Sequence, residues 1–199
     1  MTRRAWLEID LDRLHYNLAQ LRAHLTPGCK ISAVLKANAY GQGAVPIARY
    51  LQQYEGITRF CVACLSEAVE LREAGISGEI LMLAYTTPEL ASEILKYDAT
   101  QSVASLEYAR ALNEQARLAG GTVKMHIKLD TGMTRTGFDC KTPQDIDRIA
   151  GAYRLPNLLA TGTFSHFSSA DDGSEGADEY CHLQLDRFNA AAAALQARG

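Results

Sequence analysis

Short apolar runs alternate along this chain with longer stretches whose apolar residues recur every three to four positions, which predicts strands alternating with helices. The first helix is predicted over 10–25, with Leu11, Leu14, Leu18 and Leu21 on one face. A strand follows over 30–36, then a helix over 44–54. The run 60–64 reads as a second strand, leading to a helix that Ser66 caps and Gly75 ends. A third strand is predicted over 79–85, with Pro88 in the first turn of the next helix. A fourth strand over 100–103 precedes a long helix over 105–119, and Gly120-Gly121 breaks to a fifth strand over 122–130. A helix over 143–153, a sixth strand over 158–166 and a final helix over 178–198 complete the pattern.

About six βα units in succession, with no linker or low-complexity stretch between them, predict one domain of the parallel α/β class. A closed (β/α)₈ TIM-type barrel takes eight strands and about 250 residues. At 199 residues, this chain therefore reads as an incomplete (β/α)₈ barrel whose remainder lies elsewhere.

Composition narrows the function classes. A net charge of -3 and the lack of any basic stripe exclude a nucleic-acid partner. No apolar run approaches the roughly 18 residues of a membrane span. The start Met1-Thr2-Arg3-Arg4 is basic, but Glu8 and Asp10 follow before a signal-peptide core could form, so a cytoplasmic location is expected. The 5 cysteines are odd in number and scattered, against a disulfide framework. Cys61 and Cys64 form a C-x-x-C, but along a strand they point to opposite faces and no second pair exists, so no metal site is expected.

Two stretches carry the candidate chemistry. In Ala33-Val34-Leu35-Lys36-Ala37-Asn38-Ala39-Tyr40-Gly41-Gln42-Gly43, a lysine ends an apolar run and a small-residue turn with one tyrosine follows. Burial of such an amine would lower its pKa and free it for Schiff-base chemistry with an aldehyde. In Val123-Lys124-Met125-His126-Ile127-Lys128-Leu129-Asp130, apolar residues take one face and four ionisable residues the other. A strand of a parallel sheet is covered on both faces, so a row of charges there calls for partners or a function. Arg135 follows between Gly132 and Gly137, near the strand end where barrel enzymes build their sites, and a guanidinium suits a carboxylate or phenolate oxygen. His166 closes the sixth strand at the same kind of end, whereas His15, His24 and His182 fall on helices and His126 reads as a buried network member.

With these residues assembled, the chain resembles the fold-type III pyridoxal-phosphate enzymes, and specifically the N-terminal barrel of the alanine racemases. The likeness runs from Ala5-Trp6-Leu7-Glu8-Ile9-Asp10 to the last helix. Lys36-Ala37-Asn38-Ala39-Tyr40-Gly41 and Lys128-Leu129-Asp130-Thr131-Gly132-Met133-Thr134-Arg135-Thr136-Gly137 are its most specific parts. Cys61-Val62-Ala63-Cys64 with Glu67, Leu71-Arg72 and Gly75-Ile76 is also similar to the membrane-tethered serine/alanine racemases of vancomycin resistance.

The resemblance implies that Lys36 holds pyridoxal 5'-phosphate as a Schiff base and is the base on the D face of the amino acid. It implies that Tyr40 contacts the cofactor phosphate and that His166 packs beside the pyridine ring. Arg135 would lie near the phenolic oxygen and the substrate carboxylate, and Lys128 would be the often carbamylated lysine that positions it. The family usually has Gly-His-Gly where this chain has Gly41-Gln42-Gly43, so a titrating group is lost there. The implied activity is interconversion of L- and D-alanine, supplying D-alanine for peptidoglycan, by a homodimer. Residues 1–199 would be the cofactor-binding barrel portion, with the C-terminal β-domain and the L-face tyrosine outside them. This portion alone is expected not to racemise at a normal rate. Serine in place of alanine, or a non-catalytic pyridoxal-phosphate carrier, are the alternatives. The Ala-Asn-Ala-Tyr-Gly motif disfavours the carrier.

Overall fold

The computed structural model describes residues 5–198, so the basic start of the chain, residues 1–4, lies outside the described residues. The chain forms two compact units, one reaching to Ile80 and the other beginning at Leu81. All the strand pairings within each unit given below are parallel, as the α/β pattern predicts.

In the first unit, Asp10 caps α1 (Leu11–Ala23) by accepting hydrogen bonds from the Asp12 and Arg13 amides. Strand β1 (Ala33–Val34) is followed by a single helical turn, α2 (Lys36–Tyr40), and by α3 (Ala44–Tyr54). Strand β2 (Arg59–Val62) pairs with β1, Ala33 opposite Phe60 and Val34 opposite Cys61, and leads into α4 (Leu65–Glu73). Ala44, Ile47, Ala48 and Leu51 fall on one stripe of α3 and are buried with Phe60, Val62, Ala68 and Leu71.

Three sequence expectations change here. The strand over 30–36 shrinks to Ala33–Val34, because a turn closed by the Cys29 amide on Thr26 precedes it and Lys36 already belongs to the next turn. Of the apolar face read on α1, only Leu18 is buried, while Leu11 and Leu21 are exposed. This helix is held instead by charge: Glu55 at the end of α3 accepts from His15 Nδ1 at 2.5 Å and from Arg22 Nη1 at 2.8 Å. Ser66 does not cap α4, which begins after Cys64. Glu67 supplies the acceptor, taking the Ala63 amide at 2.6 Å.

Strand β3 (Glu79–Met82), shorter than the predicted 79–85, carries the chain into the second unit, where Leu81 and Met82 pair with β4 (Thr100–Val103). After a 3₁₀ turn at Pro88–Leu90 comes α5 (Ala91–Lys96), and after β4 comes α6 (Leu106–Leu118), capped by Ser105. Strand β5 (Val123–Asp130) pairs with β4 on one edge. Beyond the end of β4 it pairs with a two-residue strand, β6 (Phe138–Asp139), too short to leave a periodic signal. A Thr142–Asp145 capping box opens α7 (Pro143–Tyr153), and β7 (Leu158–Phe164) pairs with the other edge of β5. The long α8 (Glu175–Gln196) is capped by Ser174. Val123, Met125, Ile127 and Leu129 are buried as their alternation predicts, and β4 is buried on both faces. No helix among the described residues is long and apolar enough to cross a membrane.

Candidate active site

In the first unit, Lys36 opens α2 directly after the buried Leu35. The lysine itself is half-buried, not buried as the apolar run suggested, because the turn beyond it carries Ala37, Asn38 and Tyr40 into solvent. That turn is left-handed: Ala37, Asn38, Ala39 and Tyr40 have φ of 53, 54, 52 and 55°. Non-glycine residues adopt this conformation at a cost of about 1–2 kcal/mol each, so surrounding bonds must hold it. The Ala39 amide donates to Leu35 O at 2.8 Å, the Gly43 amide to Asn38 O at 2.9 Å, and the Ala44 amide to Asn38 Oδ1 at 2.8 Å. Gly41, at φ +86°, ends the turn where a side chain would be strained. The turn brings Lys36 and Tyr40 together, with Nζ 5.8 Å from the exposed phenol's ring centroid.

The second unit builds its candidate residues on β5 and β7. Lys124, at the start of β5, is an ordinary surface partner of Asp98 at 2.6 Å. His126 stands over Gly162, where a Cβ would lie 2.7 Å from its ring. Lys128 is the buried member of the row, and Nζ lies 5.8 Å from the Phe164 ring centroid with no carboxylate paired to it among the described residues. Burial lowers its pKa, the positive charge of Arg135 lowers it further, and Asp130 opposes the change. Lys128 and Arg135 are thus brought within electrostatic reach, with Arg135 itself exposed. Asp130 folds the intervening loop by accepting from the Gly132 amide at 2.9 Å and the Thr134 amide at 3.0 Å.

His166 lies two residues beyond the end of β7 and is exposed, so the predicted strand end at 166 moves to Phe164. A residue the sequence reading passed over ties its segment to the loop after β5. Gln184 of α8 is 1% exposed; its Nε2 donates to Thr131 Oγ1 at 3.2 Å and to His166 O at 3.0 Å, and its Oε1 accepts from the Ser168 amide at 3.0 Å and from Ser168 Oγ at 3.1 Å. Tyr180 OH donates to Gly132 O at 2.8 Å, and Arg187 Nη1 donates to Thr131 O at 2.9 Å. A cavity of about 210 Å³ opens beside this hub, lined by Thr131, Ser165, His166 and Gln184 among others. Tyr180, Gln184 and Arg187 fall at helical spacing on one face, a signal present in the sequence but masked because that face is polar.

The C-x-x-C reading also changes. Cys64 lies past the end of β2, at the N-terminus of α4, and only Cys61 is on the strand. Burial, with the charge of Glu79, pushes the Cys61 thiol up to about 11, which makes it unreactive. Among the described residues no group of three or more His, Cys, Asp or Glu side chains is arranged to hold a metal ion.

Comparison with known proteins places these motifs in context. Residues 9–199 match the family profile of the alanine racemase N-terminal domain. The chain is 43% identical over 197 residues to alanine racemase of Clostridium tetani, covering 99% of this chain and 49% of that protein. It is 42% identical over 186 residues to alanine racemase 1 of Clostridium acetobutylicum, covering 94% of this chain and 47% of that protein. The solved structure of alanine racemase of Clostridium difficile 630 in complex with cycloserine superposes with a TM-score of 0.92 at 36% identity, over 100% of this chain and 53% of that one. The chain spans about half the length of the curated relatives it matches.

Proposed function

Since the chain belongs to the family of the alanine racemase N-terminal domain, we propose that it is the cofactor-binding (β/α) barrel portion of an enzyme that interconverts L- and D-alanine with pyridoxal 5'-phosphate. The observation that carries this reading is the Lys36 amine just beyond the C-terminal end of β1, at the start of a left-handed turn built by Ala37-Asn38-Ala39-Tyr40. In the first unit, the amine of Lys36 and the phenol of Tyr40 suit an aromatic aldehyde phosphate. When bound, the cofactor supplies an electron sink for the charge left at the amino acid's α-carbon.

The chain's own residues do the rest. On this reading the Lys36 amine holds the aldehyde and moves the α-proton on the D face of the amino acid. The Tyr40 hydroxyl binds the phosphate, and His166 packs against the ring. Arg135 binds the phenolic oxygen and the substrate carboxylate, for which its planar fork is suited. Gln42, where a histidine is usual in the family, takes hydrogen bonds but moves no proton. The base for the L face lies outside residues 1–199, and the working enzyme is a cytoplasmic homodimer. Lys128 and Arg135 repel as two cations. A lowered amine pKa leaves more of the neutral form that reacts with carbon dioxide, and the resulting carbamate would turn that repulsion into attraction. Incorporation of isotope-labelled bicarbonate at Lys128, followed by spectroscopy, checks this.

The test of the whole reading is borohydride reduction of the protein with pyridoxal phosphate, followed by peptide mapping, together with α-proton exchange of alanine and of serine in deuterated water. The label is expected on Lys36, and Lys36→Ala should slow exchange of alanine by at least ~10²-fold, the lower end for loss of a proton-transfer group. A label on any other lysine, or exchange of serine but not alanine, overturns it.

A further inference from the structure

We propose that Glu67 is the positioning residue for Lys36, its carboxylate clasping the turn that begins at Lys36 to the end of β2. This rests on the reading of Lys36 given above. Glu67 Oε1 accepts from the Ala37 amide at 2.7 Å, and Oε2 accepts from the Ala63 amide at 2.6 Å. Both bonds are short, as expected of charge-assisted bonds to a carboxylate.

Glu67 occupies the third position of α4, where a glutamate commonly reaches back to an amide ahead of its helix. That habit accounts for Ala63. It does not account for Ala37, which lies 30 residues away in sequence. The amide of Ala37 is the one by which the left-handed turn begins, and the turn's internal bonds come from Ala39, Gly41 and later amides instead. A peptide unit is planar, so holding the Ala37 N–H also holds the plane containing the Lys36 Cα. The clasp therefore fixes the root of the lysine side chain on one side and the strand end on the other. It also opposes relaxation of four residues in a conformation that alanine and tyrosine, three of the four, disfavour.

The chemistry requires a carboxylate. Two amide donors face two oxygens, whereas a carboxamide offers one acceptor and turns an N–H toward the other amide. An aspartate, one carbon shorter, keeps the charge but not the span.

The experiment compares wild type, Glu67→Gln, Glu67→Asp and Lys36→Ala as the full chain, with pyridoxal 5'-phosphate as the probe. Three readouts are taken: amide hydrogen exchange at Ala37 and Ala63, the dissociation constant for the probe, and the pH profile of its visible absorbance. Glu67→Gln is expected to speed exchange at both amides while those of α3 stay protected. It should also weaken probe binding by about tenfold, the factor expected when one charge-assisted bond is lost, and shift the pH midpoint of the band. Glu67→Asp should show the same changes in smaller measure, and it serves if the glutamine variant does not fold. Wild-type affinity and pH profile in a folded variant whose two amides exchange faster would reduce Glu67 to a helix cap and overturn the proposal, as would unchanged exchange. If the band instead survives Lys36→Ala, the reading of Lys36 fails; the exchange data still report on the clasp.

Discussion

Lys36 lies just beyond strand β1 and Lys128 within strand β5, and the two units of the chain hold them in different ways. Beside Lys36 a carboxylate does the holding, Glu67 gripping the backbone next to the lysine, and elsewhere in the same unit Glu55 ties α1 to α3 through His15 and Arg22. Around Lys128 and Arg135 most of the framework is neutral, made of Gln184, Thr131, Ser165 and Tyr180 hydrogen-bonded to one another and to the backbone, with Asp130 and Arg187 as its charged members. The backbone differs too, left-handed from the residue after Lys36 and an ordinary strand at Lys128. The lesson is electrostatic. The second unit holds a buried lysine beside an arginine, and there the Asp130 carboxylate folds the loop after β5 while the neutral Gln184 ties that loop to the segment after β7. Beside the half-buried Lys36 the Glu67 carboxylate is spent on two backbone amides.

The hardest test of this contrast is Gln184→Leu. Leucine fills similar volume but leaves the Ser168 amide and the His166 carbonyl without their partner, so the second unit should lose about 2–3 kcal/mol. Hydrogen exchange resolves the loss unit by unit, and the first unit should be unaffected. The loss should also be the same across the acid range, since no titrating group takes part in these bonds. A pH-dependent loss would end the distinction between neutral and ionic frameworks.

Lys128→Met probes the same unit with an effect on the order of 1 kcal/mol. The folded-state pKa of Lys128 lies below its ordinary value, so in the range between the two the unfolded chain binds more protons and stability rises with pH. Without added bicarbonate, the wild type should be less stable than Lys128→Met at neutral pH, and the gap should close as pH climbs toward about 10.4, the ordinary lysine value. Denaturant melts at several pH values check the sign. A gap that widens with pH would mean the amine is stabilised as a cation, and Lys128 would resemble a lysine in an ion pair.

Much of this contrast was legible beforehand and some of it was not. The alternation of β5 marked Lys128 correctly as a charge on a covered strand, because period-two burial leaves a clear trace. The Lys36 stretch stood out by its residue types, but its half-burial did not follow from them, since a left-handed turn through two alanines and a tyrosine runs against their local propensity and is set by tertiary bonds such as the one from Ala37 to Glu67. Gln184 was missed because a buried polar face on α8 has the same periodicity as a solvated one. The leucine stripe of α1 misled for the converse reason: Leu11 and Leu21 look like core, while His15 and Arg22 do the anchoring.

The smallest effect should come from Glu55→Gln, and it tests the ionic half of the comparison. The hydrogen bond from His15 holds the Glu55 carboxyl below the usual carboxylate range, with Arg22 adding to this and burial opposing it. Its folded pKa is therefore lower than its unfolded value of about 4.3. The stability it contributes is present in full above that unfolded value and is lost as pH falls through the folded one. Acid titration of hydrogen exchange in α1 should show wild type and Glu55→Gln converging as pH drops from about 6 to about 3. Over the same range the amides around Gln184 should hold the same difference between Gln184→Leu and wild type. Convergence in both units, or in neither, would mean that acid acts on the chain as a whole, and the two lysines would then share one framework.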